Sequence, residues 1–170
     1  MYIGRRTRGI MARYLLILLF SLFYSGLYVI LAPLTIYFSY FLISLLYPAG
    51  LSGNVISFNG KEIELIDACI SGLAYLLLLV LNLSVEMRLK RRFRALAFSL
   101  GMFFAFNCLR IVLLSLALAS SFFSYLHAFF WYFGSIIAVL AIWIMEIRIF
   151  RIKDIPFISD MMRLWKLVKN

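Results

Sequence analysis

The sequence predicts an all-α integral membrane protein, with about four transmembrane helices, both termini in the cytoplasm and a short outer β-hairpin between helices 1 and 2. The first observation is composition: of 170 residues 65% are hydrophobic and only 14% are charged, against about 25% charged in soluble domains. A water-soluble fold of this size cannot hide so much apolar surface, so lipid must be the solvent. The second is the clustering of 17 basic residues beside long apolar runs, which is typical of cytoplasmic membrane anchors. This pattern favours contact with membrane lipids and no nucleic acid partner, and we treat residues 1–170 as a single membrane domain.

The first apolar run is uncharged over residues 14–47 and follows a basic N-terminus. It is too long for the core of a cleaved signal peptide, which spans about 7 to 15 residues. We therefore expect an uncleaved first transmembrane helix and an interfacial segment. The run would form about 51 Å of helix against a hydrocarbon core of about 30 Å. Two arrangements remain open: one long, kinked helix, or a helix that ends near Pro33 and continues as the interfacial segment.

Residues 48–67 form the most polar stretch of the chain and predict the outer hairpin. Asn59-Gly60 separates two short β-prone runs, Val55–Phe58 and Lys61–Leu65. An Asn-Gly pair between such runs is a strong hairpin signal, because both residues accept a positive φ.

Helices 2 to 4 are predicted within residues 68–146, at 68–85, at 95 to about 118, and at about 125 to 145. Fifteen of the 17 basic residues then lie on the cytoplasmic side, while the outer hairpin holds Lys61 alone. Hydropathy and the positive-inside rule therefore agree on the orientation. Residues 155–170 read as a basic amphipathic segment on the inner leaflet, and the protein is expected to be a multi-pass protein of the plasma membrane.

The remaining basic residue, Arg110, falls inside the third predicted span. A charge there costs about 2.5 to 3.5 kcal/mol on the lenient insertion scale, so it is a functional candidate unless it snorkels to the interface. Arg110 lies 16 residues beyond Arg94, about 24 Å up the helix and in the outer quarter of the membrane. Both interpretations stay open on this residue alone.

Two other reactive side chains lie at a similar predicted depth. Cys69 is 19 residues above Arg88, about 28 Å, and the single histidine, His127, is 21 residues above Arg148, about 32 Å. Three helices would then bring a nucleophile, a fixed cation and a titratable imidazole together near the outer face. These are the groups that a cysteine-transferase site needs. Cys69 would open its helix, where free N–H groups favour an anion. Arg110 could stabilise the thiolate and the oxyanion, and His127 could carry protons.

Each of these residues also has an ordinary structural interpretation, such as packing, an interfacial polar group or, for Asn107, an interhelical hydrogen bond. The second thiol, Cys108, points about 200° away from Arg110 on a helix and is interpreted as a packing residue. Two cysteines and one histidine lack the close spacing of metal ligands, so we expect neither a metal nor another cofactor.

The motifs in this order resemble the exosortase/archaeosortase family of integral-membrane cysteine transpeptidases. The resemblance covers about residues 50–145 and rests on three pieces: Asp67-Ala68-Cys69-Ile70-Ser71-Gly72 at an outer helix start, Asn107-Cys108-Leu109-Arg110 in the next span, and His127 opening the last. In the commonest bacterial form the cysteine is followed directly by Ser-Gly. Here Ile70 intervenes, so Ser71 is assigned no role, and with the short chain this leans towards an archaeal-type member.

The resemblance implies Cys69 as the nucleophile, Arg110 as the thiolate or oxyanion partner, His127 as the general acid/base and Asn107 as a supporting residue. It also implies substrates: exported proteins with a C-terminal signal of short motif, transmembrane helix and basic tail. They would be cleaved at the outer membrane face and passed to an acceptor, left open between a lipid and a glycan. The alternative is a small non-enzymatic transporter subunit or assembly scaffold, in which Arg110 pairs with a carboxylate of a partner helix.

Overall fold

The computed structural model describes residues 5–22 and 24–152, together with 156–158, 161, 162 and 165. Most of the predicted cytoplasmic segment 155–170 therefore lies outside the described residues. The fold is mostly helical with one small sheet. Its elements in chain order are α1 Arg5–Leu22, α2 Tyr24–Ser44, β1 Ala49–Ser52, β2 Val55–Phe58, β3 Lys61–Glu64, α3 Asp67–Ile70, α4 Gly72–Leu83, α5 Leu89–Ala117, α6 Phe123–Phe129, a π-helical turn Phe130–Gly134 and α7 Ser135–Ile149.

The helical spans agree with a multi-pass membrane protein. Within the described residues, three helical stretches are long and apolar enough to cross a membrane: Gly26–Ser44, Leu89–Ala117 and Phe123–Ile149. Two shorter apolar stretches, Gly9–Leu22 and Asp67–Leu83, accompany them. Large apolar side chains such as Val29, Leu73 and Leu140 lie exposed on the surface, as expected where lipid is the solvent. The count of four crossings and the cytoplasmic position of both termini remain predictions.

The first apolar run stays helical through its proline, which excludes the arrangement in which the helix ends near Pro33. Helix α2, Tyr24–Ser44, continues for eleven residues beyond Pro33. Helix α1 begins by Arg5, well before the predicted start at Tyr14. A proline inside a helix loses one backbone hydrogen bond, but packing of the helix on its neighbours can outweigh that loss, and α2 packs on α4 and α5.

The polar segment at residues 48–67 forms a three-stranded antiparallel sheet of order β1-β2-β3, so the predicted hairpin is confirmed and extended by one strand. Asn59 and Gly60 both have positive φ, 48° and 72°, as a type I′ turn requires. The missed strand is β1, whose Ala-Gly-Leu-Ser sequence has little β propensity. It is held by pairing with β2 and by packing of the sheet on α2 and α5, through the buried residues Ile43, Ile56, Phe58, Leu65, Ile111 and Val112.

The second predicted helix is broken near its N-terminal end. Ser71 adopts a left-handed conformation, with φ 57° and ψ 38°, between α3 and α4. Cys69 therefore lies on a separate one-turn helix, and the expectation that it opens a continuous helix at residues 68–85 is wrong. The dipole of one turn is small, so the environment of Cys69 depends on its neighbours rather than on a long helix axis.

Helices α4, α5 and α7 pack around a core in which Tyr75 meets Phe103 edge to face, with ring centroids 4.8 Å apart. Glu146 lies between these helices and is fully buried. It accepts hydrogen bonds from Asn82 and Ser99. Its carboxylate therefore links three helices inside the protein.

Candidate active site

One cavity of about 200 Å³ brings the three predicted residues together. Cys69 reaches it from α3, Arg110 from α5 and His127 from α6. Strand β3 and the connection after it form one wall, and aromatic side chains beside the histidine form another. The remaining lining residues are Ile63, Glu64, Leu65, Ile66, Ala68, Ile111, Leu114, Ser115, Phe123, Phe130 and Trp131.

The Arg110 side chain is only 7% exposed, so it turns into the protein and does not snorkel. One terminal nitrogen, Nη2, donates to the carbonyl oxygens of Ala68 and Cys69, at 3.3 and 3.2 Å. The other, Nη1, donates to Oγ of Ser135 at 3.2 Å. The guanidinium thus links α5 to both the cysteine turn and α7. Its Nε is buried and makes no hydrogen bond within the described residues.

Asn107 lies one helical turn before Arg110 and is completely buried. Its Nδ2 donates to the Cys69 carbonyl oxygen at 2.8 Å, and its Oδ1 accepts from the Ser71 hydroxyl at 3.2 Å. The i, i+3 spacing places both side chains on one face of α5. The Cys69 carbonyl therefore receives two hydrogen bonds from one helix, which fixes the backbone that carries the thiol.

Ser71, to which the sequence assigned no role, is part of this arrangement. Its left-handed backbone turns the chain by more than a regular helix would, and its hydroxyl donates to Asn107 and contacts the Ala68 carbonyl at 3.3 Å. Ile70 would move Ser71 away from the site only if this segment were one continuous helix. The helix is interrupted at Ser71 itself, so Ser71 stays at the site.

His127 stacks between two aromatic rings, with centroids 5.7 Å from Phe123 and 6.0 Å from Trp131. Within the described part of the chain it makes no hydrogen bond to Cys69 or Arg110. The imidazole is exposed and borders the same cavity. A substrate group in the cavity would therefore lie between the thiol and the imidazole, and the stacking restricts the ring plane.

The π-helical turn places His127, which borders the cavity, and Ser135, which binds Arg110, on nearly the same side of the helix. Eight residues of regular helix would place them about 80° apart. A π turn accommodates one extra residue, so these eight residues turn the chain by about as much as seven residues of α-helix. The two side chains then lie within about 20° of each other around the helix axis. Gly134 completes this turn, because a Cβ there would lie 2.6 Å from Cδ1 of Phe130. Neither the π turn nor the role of Ser135 had a signal in the sequence.

Cys108 is fully buried in the core and does not line the cavity, in keeping with its prediction as a packing residue. Both cysteines are free thiols. In the described ranges no three histidine, cysteine or acidic side chains group closely enough to bind a metal ion.

Comparison with known proteins gives one match. A family model described as a transmembrane exosortase matches residues 1–146. No curated protein and no solved structure matches the chain.

Proposed function

The chain belongs to the transmembrane exosortase family, and on this premise we propose that it is a membrane cysteine transpeptidase that cleaves C-terminal sorting signals of exported proteins. The substrates would carry a short motif, a transmembrane helix and a basic tail. The cleavage would occur at the outer membrane face, and the new C-terminus would pass to a lipid or glycan acceptor. The observation that carries the proposal is the shared cavity of Cys69, Arg110 and His127.

In the first step the Cys69 thiolate attacks the carbonyl carbon of the scissile peptide bond. Negative charge develops on the carbonyl oxygen, and the positive charge of the Arg110 guanidinium at the cavity would stabilise it. When the carbon–nitrogen bond breaks, His127 protonates the departing amine, leaving a thioester on Cys69.

In the second step an acceptor hydroxyl or amine attacks the thioester and gives its proton to His127. The carbon–sulfur bond breaks, the product leaves and the thiolate is restored. Water in place of the acceptor would give hydrolysis through the same thioester. The two hydrogen bonds to the Cys69 carbonyl support this sequence, because a nucleophile must keep its position through both attacks.

The test is to express the chain with a reporter protein fused to a candidate C-terminal signal from the same genome and to follow reporter size. Cys69→Ala and Cys69→Ser should abolish processing, whereas Cys108→Ala should retain it. Cys108 is the matched control, since it is the second thiol of the chain and lies outside the cavity. Normal processing by Cys69→Ala would refute the nucleophile and favour the alternative, a scaffold in which Arg110 binds a partner carboxylate.

A further inference from the structure

Strand β3 is an edge strand whose outer side is unpaired. The sheet order is β1-β2-β3, so β3 pairs with β2 on one side alone. An unpaired strand edge presents a row of N–H and C=O groups that can pair with another extended chain. Proteins that bind peptides often use such an edge, with the peptide added as a further strand.

The strand register shows which groups face outward. Phe58 and Lys61 flank the two-residue turn and pair with each other, so they form a hydrogen-bonded pair. Along an antiparallel ladder, hydrogen-bonded and non-hydrogen-bonded pairs then alternate from this pair onward. Ile63, opposite Ile56, is the next hydrogen-bonded residue of β3. The bond from Leu65 N–H to the Asn54 carbonyl, 2.9 Å, continues the same alternation.

It follows that the N–H and C=O groups of Glu62 and Glu64 point away from β2. In the described part of the chain no other element hydrogen-bonds to these four groups. The outer edge of β3 therefore offers two donors and two acceptors, spaced two residues apart.

This edge leads directly to the candidate nucleophile. Residues 63–66 form one wall of the cavity that contains Cys69, and Glu64 precedes Cys69 by five residues. A polypeptide paired with β3 would run along that wall and bring a peptide bond towards the thiol. The same edge is acidic at its outer surface, since Glu62, Glu64 and Asp67 are all exposed, so neutral or basic substrate residues suit it better than acidic ones.

We propose that the outer edge of β3 binds the substrate segment next to the scissile bond as an added β-strand, through the backbone of Glu62 and Glu64. The proposal rests on the proposed function and names how its protein substrate is held. Backbone pairing supplies affinity without demanding one sequence, and the cavity side chains and acidic edge then select among segments.

The first test uses photo-crosslinking and needs no catalysis. A photoreactive residue replaces Glu62 in the Cys69→Ala variant, and the probe is the reporter fused to the C-terminal signal. The matched control position is Ser52, an exposed residue of β1 at the opposite edge of the sheet. We expect a crosslink from position 62 at least about fivefold stronger than from position 52. Equal yields at the two positions would overturn the proposal.

The second test separates backbone from side chain. Glu64→Pro removes the outward N–H without removing a β2–β3 bond, whereas Glu64→Ala keeps that N–H. We expect the proline variant to have a KM about two- to twelvefold above that of the alanine variant, the value of one hydrogen bond, with similar kcat. Equal KM values would contradict strand addition. Absence of processing by the wild type would instead reject the proposed function, so the two failures are distinguishable.

Discussion

The hydrogen bonds of Asn107 predict that Asn107→Leu lowers the processing rate without unfolding the protein. The substitution keeps the number and branching of the side-chain heavy atoms. It removes two close hydrogen bonds, one to the Cys69 carbonyl and one from the Ser71 hydroxyl, and a longer one, 3.5 Å, to the Ile70 carbonyl. Cys69 and Ser71 keep a second interaction, because Arg110 still donates to the Cys69 carbonyl and Ser71 still contacts Ala68. The cost is therefore mainly that of the two close hydrogen bonds, about 1 to 3 kcal/mol.

If that free energy is spent on positioning Cys69, kcat/KM should fall about 5- to 150-fold. The assay compares initial rates of reporter processing in proteoliposomes, at equal amounts of folded protein. Thr35→Val is the matched control, since Thr35 is also fully buried, makes no hydrogen bond through Oγ1 among the described residues and lies outside the cavity. A wild-type rate in Asn107→Leu would refute the idea that the Cys69 carbonyl must be held. Complete inactivity, as in Cys69→Ala, would show that Asn107 takes part in the chemistry itself.

Three further predictions follow from individual contacts. Arg110→Lys keeps the charge but loses the fork that reaches Ala68, Cys69 and Ser135, so processing should fall about ten- to a thousandfold, and a wild-type rate would show that charge alone suffices. Gly134→Ala should lower the free energy of unfolding by about 1 to 3 kcal/mol, because the new Cβ displaces the Phe130 ring; an unchanged unfolding midpoint in detergent would contradict this. Glu146→Leu leaves the buried Asn82 amide without its acceptor, whereas the Ser99 hydroxyl keeps the Ala95 carbonyl. It should therefore destabilise by about 1 to 3 kcal/mol while the folded fraction keeps its processing rate, and a specific loss of rate would link this residue to the site.

The hydropathy pattern predicted the membrane class, which the family match and the apolar helices confirm. The Asn59-Gly60 turn predicted β2 and β3 correctly, since a two-residue turn of this type sets both strand directions and register. Strand β1 was missed because its residues form a strand by pairing and packing, not by propensity. Of the two arrangements left open for residues 14–47, an end of the helix near Pro33 is excluded, because tertiary packing keeps α2 helical through the proline.

The candidate site was likewise predicted in part from the sequence. The depth estimates for Cys69, Arg110 and His127 were sufficient to predict that they lie near one another, and all three line one cavity. Their roles in catalysis stay a proposal. The sequence did not predict the contact of Asn107 with Ser71 or that of Arg110 with Ser135. The first depends on a left-handed residue and the second on a π turn, and neither has a distinctive sequence signal.

The sequence by itself determined the solvent and the class of fold, and it predicted a similar height for the three reactive groups. Composition selects lipid over water, and the rise of a helix is a local constant, so residue counts convert directly into depth. Only the tertiary structure decided which way those groups face and what they touch. Rotation about a helix axis accumulates with every residue, and one left-handed residue or one wide turn changes it by a large angle. The hydrogen bonds from Asn107 and Arg110 to the Cys69 carbonyl, and the open edge of β3 beside that thiol, therefore exist only once the helices have packed.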